Sequence, residues 1–300
     1  TVAEVLEYIL TDLKTAQALL KPVDPIGPSF AEYNDKLEYG MDEYITDDGF
    51  WLYRKSRLNY YGVTALMARV YLCQENLTDA LACAQEVIDS KRFEFMNDSI
   101  NNVYAYRNLS YIEKMARHEY VSSLYVYDLK EGRSDLFFKN LASCECVIAE
   151  GRKASIYSGM GQDLDIRSKN WFETPAGSAT EYVNKYMRGT QIPLLKLSEM
   201  YLIAAEGWME DDPGHAAELL QTFKQARTQK EVVSQEVTED VIMREIRKEF
   251  IGEGVIFLTY KRLHHDIWGN TSEDQVKADN NVFVFPIPED EIEYGNRTQN

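Results

Sequence analysis

Apolar residues recur at spacings of three and four over the first twenty positions, at Val2, Val5, Leu6, Ile9, Leu13, Ala16 and Leu20, and Pro22 ends the pattern. This is the stripe of an amphipathic helix. Residues 22–55 hold Pro22, Pro25, Pro28 and several Gly and Asp, and predict a long loop. Helical spacing returns over about 57–75, breaks at Glu75-Asn76 and resumes over about 78–90, which predicts a helix hairpin. A second hairpin is predicted at about 196–210 and 214–228, broken by Asp211-Asp212-Pro213-Gly214.

The two hairpins share offsets as well as shape. Ala68, Tyr71 and Ala80 stand in the same relation as Ala205, Trp208 and Ala217. Small residues on two helices let their backbones approach, and an aromatic fills the groove against the next pair, as in a tetratricopeptide hairpin. Such hairpins bury their faces only when stacked.

Between them, about 91–190 lacks helical regularity and carries Tyr104, Tyr106, Tyr111, Tyr120, Tyr125, Tyr127, Tyr157, Trp171 and Tyr182 among Gly, Asn and Ser. Ser123 to Tyr127 alternates like a short strand. A further helix is expected at about 238–253, with a charged face of Arg244, Glu245, Arg247, Lys248 and Glu249. Gly252 and Gly254 mark its end, an apolar segment follows from Val255 to Trp268, and the chain closes through Phe283–Ile287 and Pro288. The expected fold is mainly α: tetratricopeptide-like hairpins with a long loop-rich insertion and a few short strands. The expected organisation is a single domain, 1–300, with helical repeats at about 1–90 and 191–270, the insertion at 91–190 and a closing segment at 271–300.

Thirty-two basic against 49 acidic residues give a net charge of −17. Phosphate backbones and anionic lipid surfaces are held by Lys and Arg patches, so nucleic-acid binding and a basic membrane footprint are excluded. The segment TVAEVLEYIL, with Glu4 and Glu7 and no basic start, is not a signal peptide. Four cysteines are too few for a disulfide scaffold. Twenty tyrosines against 12 phenylalanines supply many rings with a polar handle.

Catalytic signatures are missing. Gly159-Met160-Gly161 lacks the third glycine of a dinucleotide loop, His118-Glu119 lacks a second His, and Asp163-Leu164-Asp165 lacks the rest of a calcium loop. No cofactor or metal is expected. The carboxylates read as a solvated acidic surface, with no pair singled out for glycoside hydrolysis. What stands out is the aromatic supply of the insertion. Sugars offer flat C–H faces to Tyr and Trp rings and hydroxyls to Asn, Asp and Arg. Trp171, preceded by Asn170 and close to Arg167, is the leading ligand-binding candidate, followed by Tyr104, Tyr106 and Tyr157. The competing reading of each ring is packing under a long loop.

The stretch Ile192-Pro193-Leu194-Leu195-Lys196-Leu197-Ser198-Glu199-Met200-Tyr201-Leu202-Ile203-Ala204-Ala205-Glu206 resembles the signature helix of the SusD/RagB family of outer-membrane nutrient-uptake lipoproteins. Leu58–Leu72, with Ala65-Leu66-Met67-Ala68-Arg69-Val70-Tyr71-Leu72, resembles an earlier repeat helix of that family. Arg247-Lys248-Glu249-Phe250-Ile251-Gly252-Glu253-Gly254 with Lys261-Arg262, and Phe285-Pro286-Ile287-Pro288 with Glu291, Ile292 and Asn296, resemble its late helix and closing segment. Many members carry an Arg and an Asp where this chain has Ile256 and Thr259. The resemblance covers the C-terminal portion of the family. It implies a non-catalytic, surface-exposed outer-membrane lipoprotein, its lipid anchor outside this chain, that binds a glycan and has a SusC-like TonB-dependent transporter as partner. The alternatives are a helical-repeat adaptor for a protein or peptide and, third, a glycoside hydrolase.

Overall fold

Thr1 opens the first helix, α1 (Val2–Leu20), with a capping box: its hydroxyl accepts from the Glu4 amide while the Glu4 carboxylate reaches back. In the computed structural model the described residues are 1–30, 54, 57–95, 119–126, 147–148, 151–157, 165–174, 181–183, 185, 191–228, 234–269 and 274–295. The buried side of α1, around Leu10 and Leu13, packs on α2 (Tyr60–Cys73). Asn59 caps α2 by accepting from the Gly62 amide at 2.9 Å. Asp24, also buried, accepts from the Tyr60 amide at 2.8 Å and from Arg54 Nη2 at 2.7 Å, which fastens the chain after α1 to the start of α2.

α2 turns at Gln74–Asn76, with Glu75 at φ 60°, into α3 (Leu77–Asp89). The second hairpin, α6 (Leu197–Gly207) and α7 (Pro213–Gln225), stacks directly on the first: α2 packs on α3, α3 on α6 and α6 on α7. Ala68, Ala80, Ala84, Ala204, Ala205 and Ala216 are wholly buried, so small residues do set these crossings. One offset differs. The sealed residue on α7 is Ala216, whereas Ala217, one position on, is half-buried. Gly207 makes the closest approach: a Cβ there would lie 2.9 Å from Leu81 Cβ on α3. Arg69 of α2 ties the hairpins together with two bonds to Glu199 of α6, at 2.7 and 2.6 Å, and a third to the Leu194 carbonyl at 2.8 Å.

The expected strand lies at β1 (Tyr120–Tyr125), three residues earlier than its alternation suggested, and pairs antiparallel with β5 (Gln191–Lys196). Hence the stretch resembling a signature helix is helical only from Leu197. Pro193 pushes its predecessor towards extended backbone, and the segment before Leu197 enters the ladder with β1. A second sheet, in the order β2 (Val147–Ile148), β4 (Glu181–Val183), β3 (Phe172–Glu173), lies beside the short helices α4 (Arg152–Ile156) and α5 (Ile166–Asn170). α8 (Glu239–Glu249) packs against α6 and α4 and stops short of the expected 253, because Gly252 and Gly254 take left-handed backbone at φ 75° and 78°.

The chain forms two compact units, Thr1–Glu253 and Gly254–Asn300, so the expected repeat region 191–270 spans their boundary. The second unit holds α9 (Val255–Arg262), α10 (Asn280–Phe283) and α11 (Glu289–Glu293), with two sets of ring contacts, Phe257 and His264 on Phe283, and Tyr260, His265 and Trp268 on one another. Thr259 satisfies its hydroxyl within α9, on the Val255 carbonyl at 3.0 Å. Among the described residues there are eleven helices, and none is long and apolar enough to cross a membrane.

Candidate functional site

The residues expected to meet a ligand fall into two groups. Tyr104 and Tyr106 lie outside the described residues. Trp171, Tyr157 and Arg167 are brought together, but facing inwards. Trp171 is 6% exposed and packs with Ile148, Tyr157, Phe172 and Val183 under the small sheet. Tyr157 donates its hydroxyl to the Lys248 carbonyl at 2.9 Å. Asn170, at the end of α5, is half-buried.

Arg167 leads to the dominant feature of the first unit, a buried ionic hub on α8. Glu249 accepts four bonds from three cations: Arg167 Nη1 at 3.1 Å and Arg227 Nε at 2.9 Å on Oε2, then Arg227 Nη2 at 3.0 Å and Lys196 Nζ at 3.1 Å on Oε1. Four is the lone-pair capacity of a carboxylate. Arg167 also binds Asp165 at 2.7 Å and Glu245 at 3.0 Å, and Arg227 pairs through both terminal nitrogens with Glu119. Lys185 donates to the Glu249 carbonyl at 2.7 Å and to the Glu253 carboxylate, which Lys196 shares at 3.0 Å.

Aromatic faces line this network. Lys185 Nζ sits 3.9 Å from the Trp171 ring centre, Lys196 lies over Phe250, and Arg167 and Arg227 both lie over Phe223. The buried Trp171 is thus a wall of the hub. Burial alone would raise the carboxyls, but Arg167 and then Lys248 hold Glu245 down to about 2. Arg227 and Lys196 hold Glu249 well below the usual carboxylate range against the same desolvation. Burial, with help from the Lys196 charge, lowers Lys185 to about 7, against the pull of Glu253. Glu249, with its four sites filled, and Glu245, held by Arg167 and Lys248, are both ionised and form a clamp, and neither is a proton donor at neutral pH.

The charged face expected on α8 is therefore not a solvated one: Glu245, Arg247 and Glu249 are buried. The sequence did carry a signal. Ile242, Glu245 and Glu249 are three and seven positions apart, which puts both acids on the apolar face of their own helix. Among the described residues no group of three His, Cys, Asp or Glu is placed to hold a metal.

This architecture has relatives of known structure. A SusD superfamily protein of Bacteroides thetaiotaomicron VPI-5482 superposes with a TM-score of 0.63 at 20% identity, covering 100% of this chain and 66% of that one. The fold is SusD-like. A candidate sugar binding protein of Bacteroides vulgatus ATCC 8482 matches 100% of the chain with a TM-score of 0.70 at 21% identity. Surface glycan-binding protein A of Bacteroides thetaiotaomicron, solved with laminarihexaose, matches 81% of the chain and 64% of its own length, with a TM-score of 0.57 at 16% identity. No protein-family model and no curated protein matches the sequence. The chain spans 65%, 60% and 66% of three of these SusD-like structures. Two segments that carried the resemblance at sequence level meet in the fold: Arg69 and Glu199 are the pair that joins the hairpins.

Proposed function

We propose that this chain is a non-catalytic cell-surface protein that binds a polysaccharide or oligosaccharide and delivers it to a SusC-like TonB-dependent transporter. In this reading it is a lipid-anchored outer-membrane protein. The observation that carries the reading is the SusD-like fold along the whole chain, 81% of which also matches a protein solved with laminarihexaose. The helical spine and the hub hold the scaffold, and the loop-rich insertion carries the ligand. Of the rings named from sequence, Tyr104 and Tyr106 are the proposed contacts. Trp171, Tyr157 and Arg167 are buried and Asn170 is half-buried, so a role for them in this reading is through the scaffold.

The test is a titration of intrinsic Trp/Tyr fluorescence against soluble polysaccharides and their oligosaccharides, β-glucans first, with each mixture checked afterwards for shorter products. A saturable change with one glycan class and no breakdown supports the proposal. Release of shorter sugars makes the chain a hydrolase, and silence across the panel counts against a glycan ligand. Tyr104→Ala with Tyr106→Ala is expected to weaken binding about tenfold or more at unchanged Tm, the scale of lost stacking on two rings.

A further inference from the structure

Two donors fasten the small sheet and its helices to the end of α8. Tyr157 donates to the Lys248 carbonyl, and Lys185, two residues beyond β4, donates to the Glu249 carbonyl at 2.7 Å. These are among the last carbonyls of the helix, which have no partner within it. Ile251, just past α8, packs against the apolar cluster of Tyr157, Trp171, Phe172 and Val183. Lys185 is also the least compensated cation of the hub. Arg167 meets three carboxylates, Asp165, Glu245 and Glu249, and Arg227 meets two, Glu119 and Glu249. Lys196 meets Glu249 and Glu253. Among the described residues Lys185 meets one carboxylate, Glu253, and has to share it with Lys196.

The surroundings of Lys185 suit both of its protonation states. A neutral amine has two N–H donors, and two acceptors are at hand, the Glu249 carbonyl and the Glu253 carboxylate. An ammonium has a third N–H, and the Trp171 ring centre lies 3.9 Å from Nζ. The guanidiniums of Arg167 and Arg227 keep their protons, and Lys196 is held up against burial by Glu249 and Glu253. The proton that this hub can release is therefore the one on Lys185. The charged groups facing it are Glu253 beyond α8, Glu249 on α8 and Lys196 at the end of β5. Burial outweighs the two acids, Lys196 adds to it, and Lys185 falls to about 7.

We propose that Lys185 is a proton-operated clasp between the small sheet and the end of α8, loosened by acid and tightened by base. With the sheet in place, Lys185 lies in a dry site with half a share of one carboxylate. With the sheet lifted, it is in water, where the ammonium is well hydrated. Lifting therefore takes up a proton wherever the closed site holds the amine. In water the group titrates near its ordinary value of 10.5, so between there and about 7 the lifted form binds more protons than the closed one. The clasp strengthens as pH rises through that window, and below about 7 it has reached its weakest level. A lysine that owed its place to an ion pair would give the opposite sign.

The experiment uses the chain labelled with carbon-13 at the lysine Cε and follows it by NMR from about pH 5.5 to 9.5. One lysine is expected to titrate within about one unit of 7, far below the ordinary lysine range. The ring-current shift that Trp171 gives its ε-methylene identifies it, as does its loss in Lys185→Met. Amide exchange of the β3–β4 ladder, corrected for the intrinsic rate at each pH, reads the clasp itself. Opening about tenfold rarer or more at pH 8.5 than at pH 6.5 is the expected result, with no such change in Lys185→Met. A chain whose lysines all titrate above 9 overturns the proposal. So does ladder opening that is equal at the two pH values, or more frequent at the higher one. Both readings on the parent chain decide the matter even where Lys185→Met fails to fold.

Discussion

At the scale of single residues, Glu249 is the most exacting position described. Its four acceptor sites are filled by three buried cations, so Glu249→Gln leaves Arg167, Arg227 and Lys196 short of one countercharge in a dry site. Breaking a buried ion pair from one side costs about 3–5 kcal/mol, and denaturant unfolding of the variant is expected to fall in that range. The same carboxylates set an acid limit. Glu245 titrates near 2 in the folded chain and near its ordinary value of 4.5 when unfolded, and Glu249 is shifted the same way. Their contribution is complete above about 4.5 and is lost as pH falls from there towards 2. Tm measured from pH 6 to pH 2.5 should be level at first and then drop steeply; a flat profile to pH 3 contradicts this. Little of the hub was legible in the sequence. Its members come from six separated stretches, and an acid on a helix looks solvated until the cations that face it are known. Nor was the Lys185 seat on Trp171 legible: a ring that seats an ammonium and a ring that seats a sugar have the same local sequence.

At the scale of elements, the hairpin crossing predicts opposite signs for one substitution at two glycines. Gly207→Ala drives a Cβ to 2.9 Å from Leu81 Cβ, which cannot swing away. The helix-propensity gain of under about 1 kcal/mol is outweighed by overpacking of about 1–3 kcal/mol, and Tm falls. Gly214→Ala, in the first turn of α7, meets only Asp212 Oδ1 at 3.4 Å and gains about 0.5–1 kcal/mol. Thermal melts of the two variants against the parent decide both signs. The long helices were readable to within a few residues because their apolar spacing and caps agree. β5 was not, because apolar residues continue from strand into helix, Leu194 and Leu195 to Leu197, with only Lys196 between them. The strands of the small sheet, two or three residues each, are too short to leave a period.

At the scale of the whole molecule, a chain of net charge −17 that holds a neutral sugar should do so with little regard for salt. Between 50 and 500 mM NaCl the affinity for a neutral glycan is expected to change by less than about twofold, because no charge on the ligand is screened. An anionic polysaccharide of similar length should bind worse, and less so as salt rises. Isothermal titration at the two salt concentrations measures both. A strong salt dependence with a neutral ligand would point to a charged co-ligand or to binding through another surface.

The direct stacking of α3 on α6 has a consequence for how the protein is made. The two helices lie side by side in space, yet about a hundred residues separate them along the chain. At ~5–20 residues per second, the first hairpin emerges from the ribosome some 5–20 s before its neighbour exists. Through that interval Leu81 of α3 has no Gly207 against it, and Arg69 waits for Glu199. Nascent chains stalled shortly before residue 197 should therefore be the species that chaperones hold longest.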